Sequence, residues 1–510
     1  DTFLEMNNLY DFALRSSDDA ELIRRFLNAR LPDEVVADLA DFLESFRFPL
    51  SVRSSSLLED SQYIPFAGVY GTYMIPNCNA NSDARLEELM CAVKRVYAST
   101  FFSHAKTYFK PTPYRLEEEK MAVIIQKLIG VRHENRFYPD FAGVARSYNF
   151  YPISPMKSED GIASLALGLG KTVVEGGRTL LMCPRYPRHL LQLSAVQDAL
   201  TYSQREFWAM EMPAETERYD CSTEYPLAEF DLAVAERDGV LGPIGSTYSR
   251  ENDAVYDGIS RAGVRLVTFA SILKHDYFPL ADLLATVLDI GRRAMSSPIE
   301  IEFAVNLSVP PGRPHEFHLL QMRPMVVDEE MEQIKFKEKV AGDVICESTS
   351  VLGNGVLSNI QDIVMVDIER FERSESRIAA KEIGALNDAL AGAGRPYVLI
   401  GVGRFGSADP WLGIPVEWQD IWGARVIVEC GLKDIKVVPS QGTHFFQNLT
   451  ASRVGYFTID HDTRSGFVDW EWLRRREAVT EKKYARHVHL ENPLVVVMNG
   501  HDGKGVIYQP

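Results

Sequence analysis

Ile299-Glu300-Ile301-Glu302-Phe303 alternates apolar and acidic residues, and Leu320-Gln321-Met322-Arg323-Pro324 alternates apolar and polar ones. Side chains two apart on a strand share a face, so both stretches read as β-strands with one polar and one apolar side. The intervening Val309-Pro310-Pro311-Gly312-Arg313-Pro314 has the composition of a turn. A hairpin symmetric about Pro311-Gly312 sets Glu302 opposite Gln321 and Glu300 opposite Arg323 in a single register. A one-residue slip would turn the carboxylates toward the apolar side, where an unpaired charge is costly. Two carboxylates, an amide and a guanidinium on one face suit magnesium and a polyphosphate: hard oxygens hold the metal, and arginine holds phosphate. The same alternation also describes a solvated face crossed by ion pairs, and periodicity does not separate the two readings.

Outward from this hairpin the chain reads as α/β. Residues 1–47 carry helical periodicity, with Leu22, Phe26 and Ala29 on one apolar face and Val35, Leu39, Phe42 and Leu43 on another. Pro49 to Val52 reads as a strand entering a Ser-rich loop, Arg53 to Asp60, and a helix is expected from about Asp83 to Phe102. Met121 to Leu128 and Phe141 to Asn149 read as strands, and Gly161 to Leu169 as a helix ending in a Gly-rich turn. The polar region 204–255 has weak patterning and is expected to be an insertion or long loop. A helix at Asp276 to Ala294 leads into the hairpin. The charged run Asp328 to Lys339 reads as a linker or solvated helix. Beyond it, strands at Ile363 to Ile368, Tyr397 to Gly401 and Ala424 to Glu429, with a helix at Ser374 to Leu390, form a second α/β region.

The 510 residues call for two or three domains. Hydrophobic residues at 46% and charged residues at 25% give a globular balance, and the longest apolar runs are strand-length. No membrane helix is expected, since one needs ~20 apolar residues. The formal net charge of −17, without a basic stripe, argues against nucleic acid. Local arginines and backbone N–H groups can still bind a small anion. Cys78, Cys91, Cys183, Cys221, Cys346 and Cys430 form no CxxC pair, which disfavours a zinc site or a disulfide scaffold and points to the cytoplasm. No signal peptide is recognised. The first residue is Asp1, in what reads as the middle of an element, as in a fragment or processed chain.

Two further stretches invite a phosphate reading. In Ser51-Val52-Arg53-Ser54-Ser55-Ser56, arginine beside hydroxyl-rich backbone can grip phosphate, although serines equally make turns and caps. Gly168-Leu169-Gly170-Lys171-Thr172 resembles the end of a P-loop. The first glycine of that pattern would fall at Leu165, and the expected helix precedes the turn instead of following it.

In order, Ser51 to Asp60 with Phe66-Ala67-Gly68, Met121 to Gln126, Gly143 to Pro152, Asp160-Gly161 with Gly168 to Gly177, Ile299 to Phe303 and Leu320 to Pro324 resemble the ATP-binding domain of phosphoenolpyruvate synthase and pyruvate phosphate dikinase. The resemblance covers about residues 1–335 and implies an ATP-grasp fold, ATP and Mg2+ as ligands, and phosphoryl transfer. By position it implies Arg53 and Arg323 at the phosphates as catalytic groups, Gln126 on the strand lining the adenine pocket, Glu300 at the nucleotide, and Glu302 and Gln321 as magnesium ligands. The family's Gly-Gly-Lys loop would lie upstream of residue 1, and Lys171 stands where the family usually has an acid. Neither the family's phosphohistidine domain nor its C-terminal barrel is recognised here. The expected acceptor is therefore a small molecule or a phosphohistidine, on another domain or chain. A non-catalytic ATP sensor is the alternative.

Residues 336–510 are expected to form an α/β domain of unassigned role. Gly401 to Pro415 can hold an anion through Arg404 and Ser407, or can be a tight loop with Trp411 packed into the core. His444 can be an acid–base or phosphoacceptor group, or a satisfied structural histidine. The expectation is that Gly401 to Pro415 and His444 gather into a second polar site. His487, His489 and His501 have no spacing that demands a metal.

Overall fold

The computed structural model describes residues 1–56, 58–59, 68–110, 112, 114–153, 155–217, 226–325, 342–431, 441, 443–460 and 465–510. These divide into two compact units. The first holds Asp1–Asn149, Pro155–Val174 and Arg178–Met325; the second holds Phe150–Ser154, Glu175–Gly177 and Val326–Pro510. The charged run from Asp328 to Lys339 lies outside the described residues, as do Asp60, Phe66 and Ala67 of the serine motif.

The first unit opens with helices. In α1 (Asp19–Asn28) the Asp18 carboxylate accepts from the Glu21 amide, while Leu22 and Phe26 are fully buried. Helix α2 (Asp33–Ser45) buries Leu39 and Leu43, with Val35 and Phe42 packed beside the same core. Strand β1 (Leu50–Ser56) pairs antiparallel with β2 (Thr72–Ile75), and α3 (Ser82–Ser99) packs against them. On the other side β1 pairs with β3 (Met121–Lys127) along its whole length. Arg53 is thus inside a strand, not at the mouth of a loop. The ladder to β3 outweighs the turn preference of Ser54, Ser55 and Ser56.

A second, five-stranded antiparallel sheet carries the hairpin. It is built from β4 (Phe141–Arg146), β5 (Ile162–Leu167), β6 (Leu180–Met182), β7 (Ile299–Asn306) and β8 (Glu316–Pro324), in the order β8-β7-β4-β5-β6. Helix α4 (Leu280–Met295) lays Leu280, Leu284 and Leu288 into the same core as Ile299, Ile301, Phe303 and Val305. Gly143, opposite Phe303, keeps this sheet closed: a Cβ there would meet the Phe303 ring at 2.5 Å and the Ser164 carbonyl at 2.7 Å.

Three expectations fail here. The helix expected at Gly161 to Leu169 is strand β5. Ile162-Ala163-Ser164-Leu165-Ala166-Leu167 is buried nearly throughout, and such a run carries no period to tell helix from strand. A helical turn, Lys171–Val174, follows Gly168 rather than preceding it, with Gly168 at φ +83°. The P-loop pattern still lacks its first glycine, because Leu165 is a core residue of β5. The described residues of 204–255 are folded, with strands at Glu206–Glu211, Leu227–Asp231 and Gly245–Ser249, and they bury Phe207, Ala209 and Met210. The cysteine reading also needs correction, since Cys91 in α3 is disulfide-bonded. The cysteines therefore lend no support to a cytoplasmic location. Among the described residues, no helix is long and apolar enough to cross a membrane.

The second unit is built on a large mixed sheet. Strands β9 (Asn354–Val366), β10 (Tyr397–Val402), β11 (Ala424–Cys430) and β12 (Gly455–Ile459) run parallel in sequence order. Helix α5 (Ser376–Gly392) connects β9 to β10, and α6 (His444–Ala451) precedes β12. The long β13 (Ala485–Asn499) pairs antiparallel with β9. His487 and His489 lie on this strand. His487 Nε2 and His489 Nδ1 lie 2.8 and 3.0 Å from Asp362 Oδ1, which also accepts from Arg395.

Candidate functional site

The base of the β7–β8 hairpin has the expected register: Glu300 pairs with Arg323 and Glu302 with Gln321. Beyond Glu302 the register shifts by one, so that Phe303 pairs with Leu319 and Leu320 is left as a bulge. The symmetric hairpin is corrected to that extent. The bulge has a local partner, since the Gln126 side-chain amide on β3 donates to the Leu320 carbonyl at 3.4 Å.

Arg323 joins the two glutamates of the hairpin, and Arg53 of β1 holds Gln321. Arg323 Nε donates to Glu300 Oε1 at 3.0 Å, and its Nη2 donates to Glu302 Oε1 at 3.2 Å. From β1, Arg53 Nη1 donates to Gln321 Oε1 at 2.8 Å. Arg53 Nε is buried without a hydrogen-bond partner. The sequence-derived residues Arg53, Gln126, Glu300, Glu302, Gln321 and Arg323 are thus brought together on β1, β3, β7 and β8.

One member was missed. Arg146, at the end of β4, pairs across the sheet with Glu300 and donates to its Oε2 at 2.6 Å. Glu300 is 2% exposed, with one arginine on each carboxylate oxygen. Only the strand order could have shown this, because β4 and β7 are neighbours in space but far apart in sequence.

The two glutamates, two apart on one strand, behave oppositely. Burial works against ionisation of Glu300, but Arg146 and Arg323 overcome it and hold the carboxyl below the usual carboxylate range. For Glu302 burial prevails, reinforced by the Glu300 charge, and its affinity for a proton rises despite Arg323 and Arg53. Glu302 keeps 24% of its side chain exposed. The face therefore offers a partly exposed carboxylate whose charge is opposed by burial, beside arginines with donors in place. Burial opposes the Arg323 charge too, yet Glu300 and Glu302 keep it firmly protonated.

The family assignment follows from the match of residues 5–342 to the family described as pyruvate phosphate dikinase, AMP/ATP-binding domain. The chain belongs to that family. Its domain is of the ATP-grasp type and takes in both sheets of the cluster. Two relatives are named phosphotransferases. One is the uncharacterized phosphotransferase YvkC of Bacillus subtilis (strain 168), 30% identical over 181 residues, which are 35% of this chain and 19% of the relative. The other is the rifampicin phosphotransferase of Bacillus cereus, 26% identical over 167 residues, or 32% of this chain and 17% of the relative. The matched stretch is thus under a fifth of the length of either relative.

In the second unit the stretch Gly401 to Pro415 approaches α6 at one point, where a Cβ on Gly406 would collide with the Phe445 ring. His444 opens α6, behind a Thr443 cap that accepts from the Phe446 amide. Arg404 Nη2 and Ser407 Oγ both reach the Gly176 carbonyl, at 3.5 and 3.4 Å, so they hold a backbone segment. Trp411 is 56% exposed, and the alternative that packed it into the core is set aside.

Proposed function

We propose that this chain is an ATP-dependent phosphotransferase whose transfer site is the Arg53–Glu302–Gln321–Arg323 cluster. One observation carries the reading: Glu302, a partly exposed carboxylate that accepts from Arg323 at 3.2 Å, stands beside an arginine, Arg53, that has an unused buried N–H. An anion satisfies the arginines, and a cation satisfies the carboxylate. Mg-ATP brings both.

Among the described residues, no group of three or more His, Cys, Asp or Glu is placed to hold a metal. Magnesium does not need one, since it is commonly held by one or two protein oxygens together with substrate phosphates and water. Glu302 and the Gln321 carbonyl oxygen fit that requirement as ligands. Bound there, the ion would neutralise charge developing on the phosphates. Arg53 and Arg323 grip phosphate oxygens, and Glu300 with Arg146 fixes the direction of the Arg323 guanidinium. Gln126, tied to the Leu320 carbonyl, orders the edge where the base would rest. The acceptor in this reading is a small molecule or a phosphohistidine on another domain or chain.

The test is calorimetric titration with ATP, with and without Mg2+, followed by isotope exchange between labelled ADP and ATP. Metal-dependent binding with exchange supports a transferase. Binding without exchange, across a panel of small acceptors, would leave only a nucleotide sensor.

A further inference from the structure

A cavity of about 600 Å³ opens in the first unit, and none of the residues assigned to phosphoryl transfer lines it. Its volume is of the size that small-molecule sites occupy. Leu273, Phe278 and Leu288 give it an apolar wall, and the first turn of α4 forms another side. Ser147, the residue after β4, also lines it and is 7% exposed.

Three donors around this cavity have no acceptor among the described residues. The Ser147 hydroxyl oxygen accepts from the Ile299 amide at 2.8 Å, and its own hydrogen is not donated to any described residue. Helix α4 starts behind Pro279 with no side-chain cap, so its first amides are left uncovered. The amides of Ala281 and Asp282, both in the cavity lining, donate to no described acceptor. Open amides at a helix start, backed by the helix dipole, favour a carboxylate or another oxyanion.

The charged side chains of the lining lean the other way. Arg185 pairs with Asp160 at 2.9 Å, and Arg292 and Arg293 both pair with Asp289. Those arginines are spent on acids of the same lining. Asp282 is exposed, and its carboxylate has no described partner. An anion alone would meet this acid uncompensated. A cation alone would leave the three donors empty. A ligand with both charges a short distance apart meets both demands.

We propose that this cavity binds a zwitterionic α-amino acid with an apolar side chain. Its carboxylate takes the Ala281 and Asp282 amides and the Ser147 hydroxyl, and its ammonium takes the Asp282 carboxylate. Its side chain rests on Leu273, Phe278 and Leu288, where burial of apolar surface adds affinity.

Calorimetric titration and thermal unfolding of the full chain with L-phenylalanine and L-leucine test this. Phenylethylamine, which lacks the carboxylate, and phenylpropionate, which lacks the ammonium, are the comparison compounds. Saturable binding of at least one amino acid is expected, with a rise in Tm, since a ligand bound to the folded state stabilises it with concentration. Each comparison compound should bind roughly tenfold more weakly than L-phenylalanine, because it leaves one set of partners unmet. Asp282→Asn should weaken the amino acid by a similar factor and leave phenylpropionate no weaker. Ala285→Trp, at an exposed position of α4 that lines the cavity, should fill the space and abolish binding. Should Ala285→Trp fail to fold, the Asp282→Asn comparison decides. No saturable binding of either amino acid, equal binding of the three phenyl compounds, or full affinity in Asp282→Asn would overturn the proposal.

Discussion

Glu300→Gln and Glu302→Gln make the same chemical change two residues apart on one strand, and the structure assigns them opposite effects on stability. Glu300 is 2% exposed, with Arg146 Nε on one oxygen at 2.6 Å and Arg323 Nε on the other at 3.0 Å. Removing its charge leaves two buried guanidiniums facing a neutral amide. Breaking a buried ion pair from one side costs about 3–5 kcal/mol. At roughly 2–4 °C per kcal/mol for a large domain, the transition of this unit should fall by about 10 °C. Glu302 differs because burial already opposes its charge. Its neutral isostere should leave stability at pH 8 unchanged or higher, while Mg-dependent phosphoryl transfer is lost.

The pH dependence has matching signs. The stabilisation from Glu300, whose carboxyl is held below its ordinary value, is present above the unfolded-state value and lost as pH falls through the folded one. The Glu300→Gln defect should therefore shrink in acid. Glu302 is raised, so its penalty is absent in acid and grows as pH rises through the ordinary carboxylate range. Calorimetric scans of both variants from about pH 2.5 to 8, beside transfer assays at pH 8, give the comparison. Equal destabilisation by both substitutions, or full transfer activity in Glu302→Gln, would refute the division of labour.

Arg323→Lys should lower transfer roughly 100-fold with the fold retained, because one ammonium cannot span Glu300 and Glu302 and still present a planar fork; near-native turnover would remove Arg323 from the site. Gly143→Ala should destabilise by about 1–3 kcal/mol in urea unfolding, since its Cβ would press on the Phe303 ring and the Ser164 backbone. Glu429→Gln should be more stable than wild type at pH 8 and equal to it near pH 4.5. The gap between 4.5 and about 7 corresponds to about 3 kcal/mol at ~1.36 kcal/mol per pH unit, a penalty that grows as pH rises between those values. A pH-independent difference would contradict that.

Legibility in the sequence tracked amphipathicity. Leu22 and Phe26 in α1 mark one apolar face, and β7 alternates apolar with polar side chains although both its faces are largely buried, and both were readable. Strand β5 was not, because Ala163 to Leu167 is buried on both faces and Ala and Leu favour helices when read alone. Its state is set by pairing with β4 and β6, a long-range fact. Arg53 failed locally for a similar reason: its serines look like loop until β3 supplies a ladder. The folded strands within 204–255 lacked a clear period and were invisible on the same grounds.

The site was more legible than the fold around it, and the bulge at Leu320 shows why. A hairpin register read from its turn accumulates every irregularity between turn and site, and this one carries a one-residue shift. Continuing the observed turn-side pairs, Asn306 with Glu316 through Phe303 with Leu319, would pair Glu302 with Leu320 and put a carboxylate against an apolar side chain. What fixes the base register is the polar chemistry itself: Glu300 needs Arg323, and Arg323 reaches Glu302 as well. The shift falls just beyond the Glu302–Gln321 pair, between it and the Phe303–Leu319 pair. The bulge carbonyl is then available to Gln126 from the other sheet. Charge complementarity at the base therefore outweighs turn geometry in setting the register, and the pairing that a symmetric hairpin suggested holds for a different physical reason.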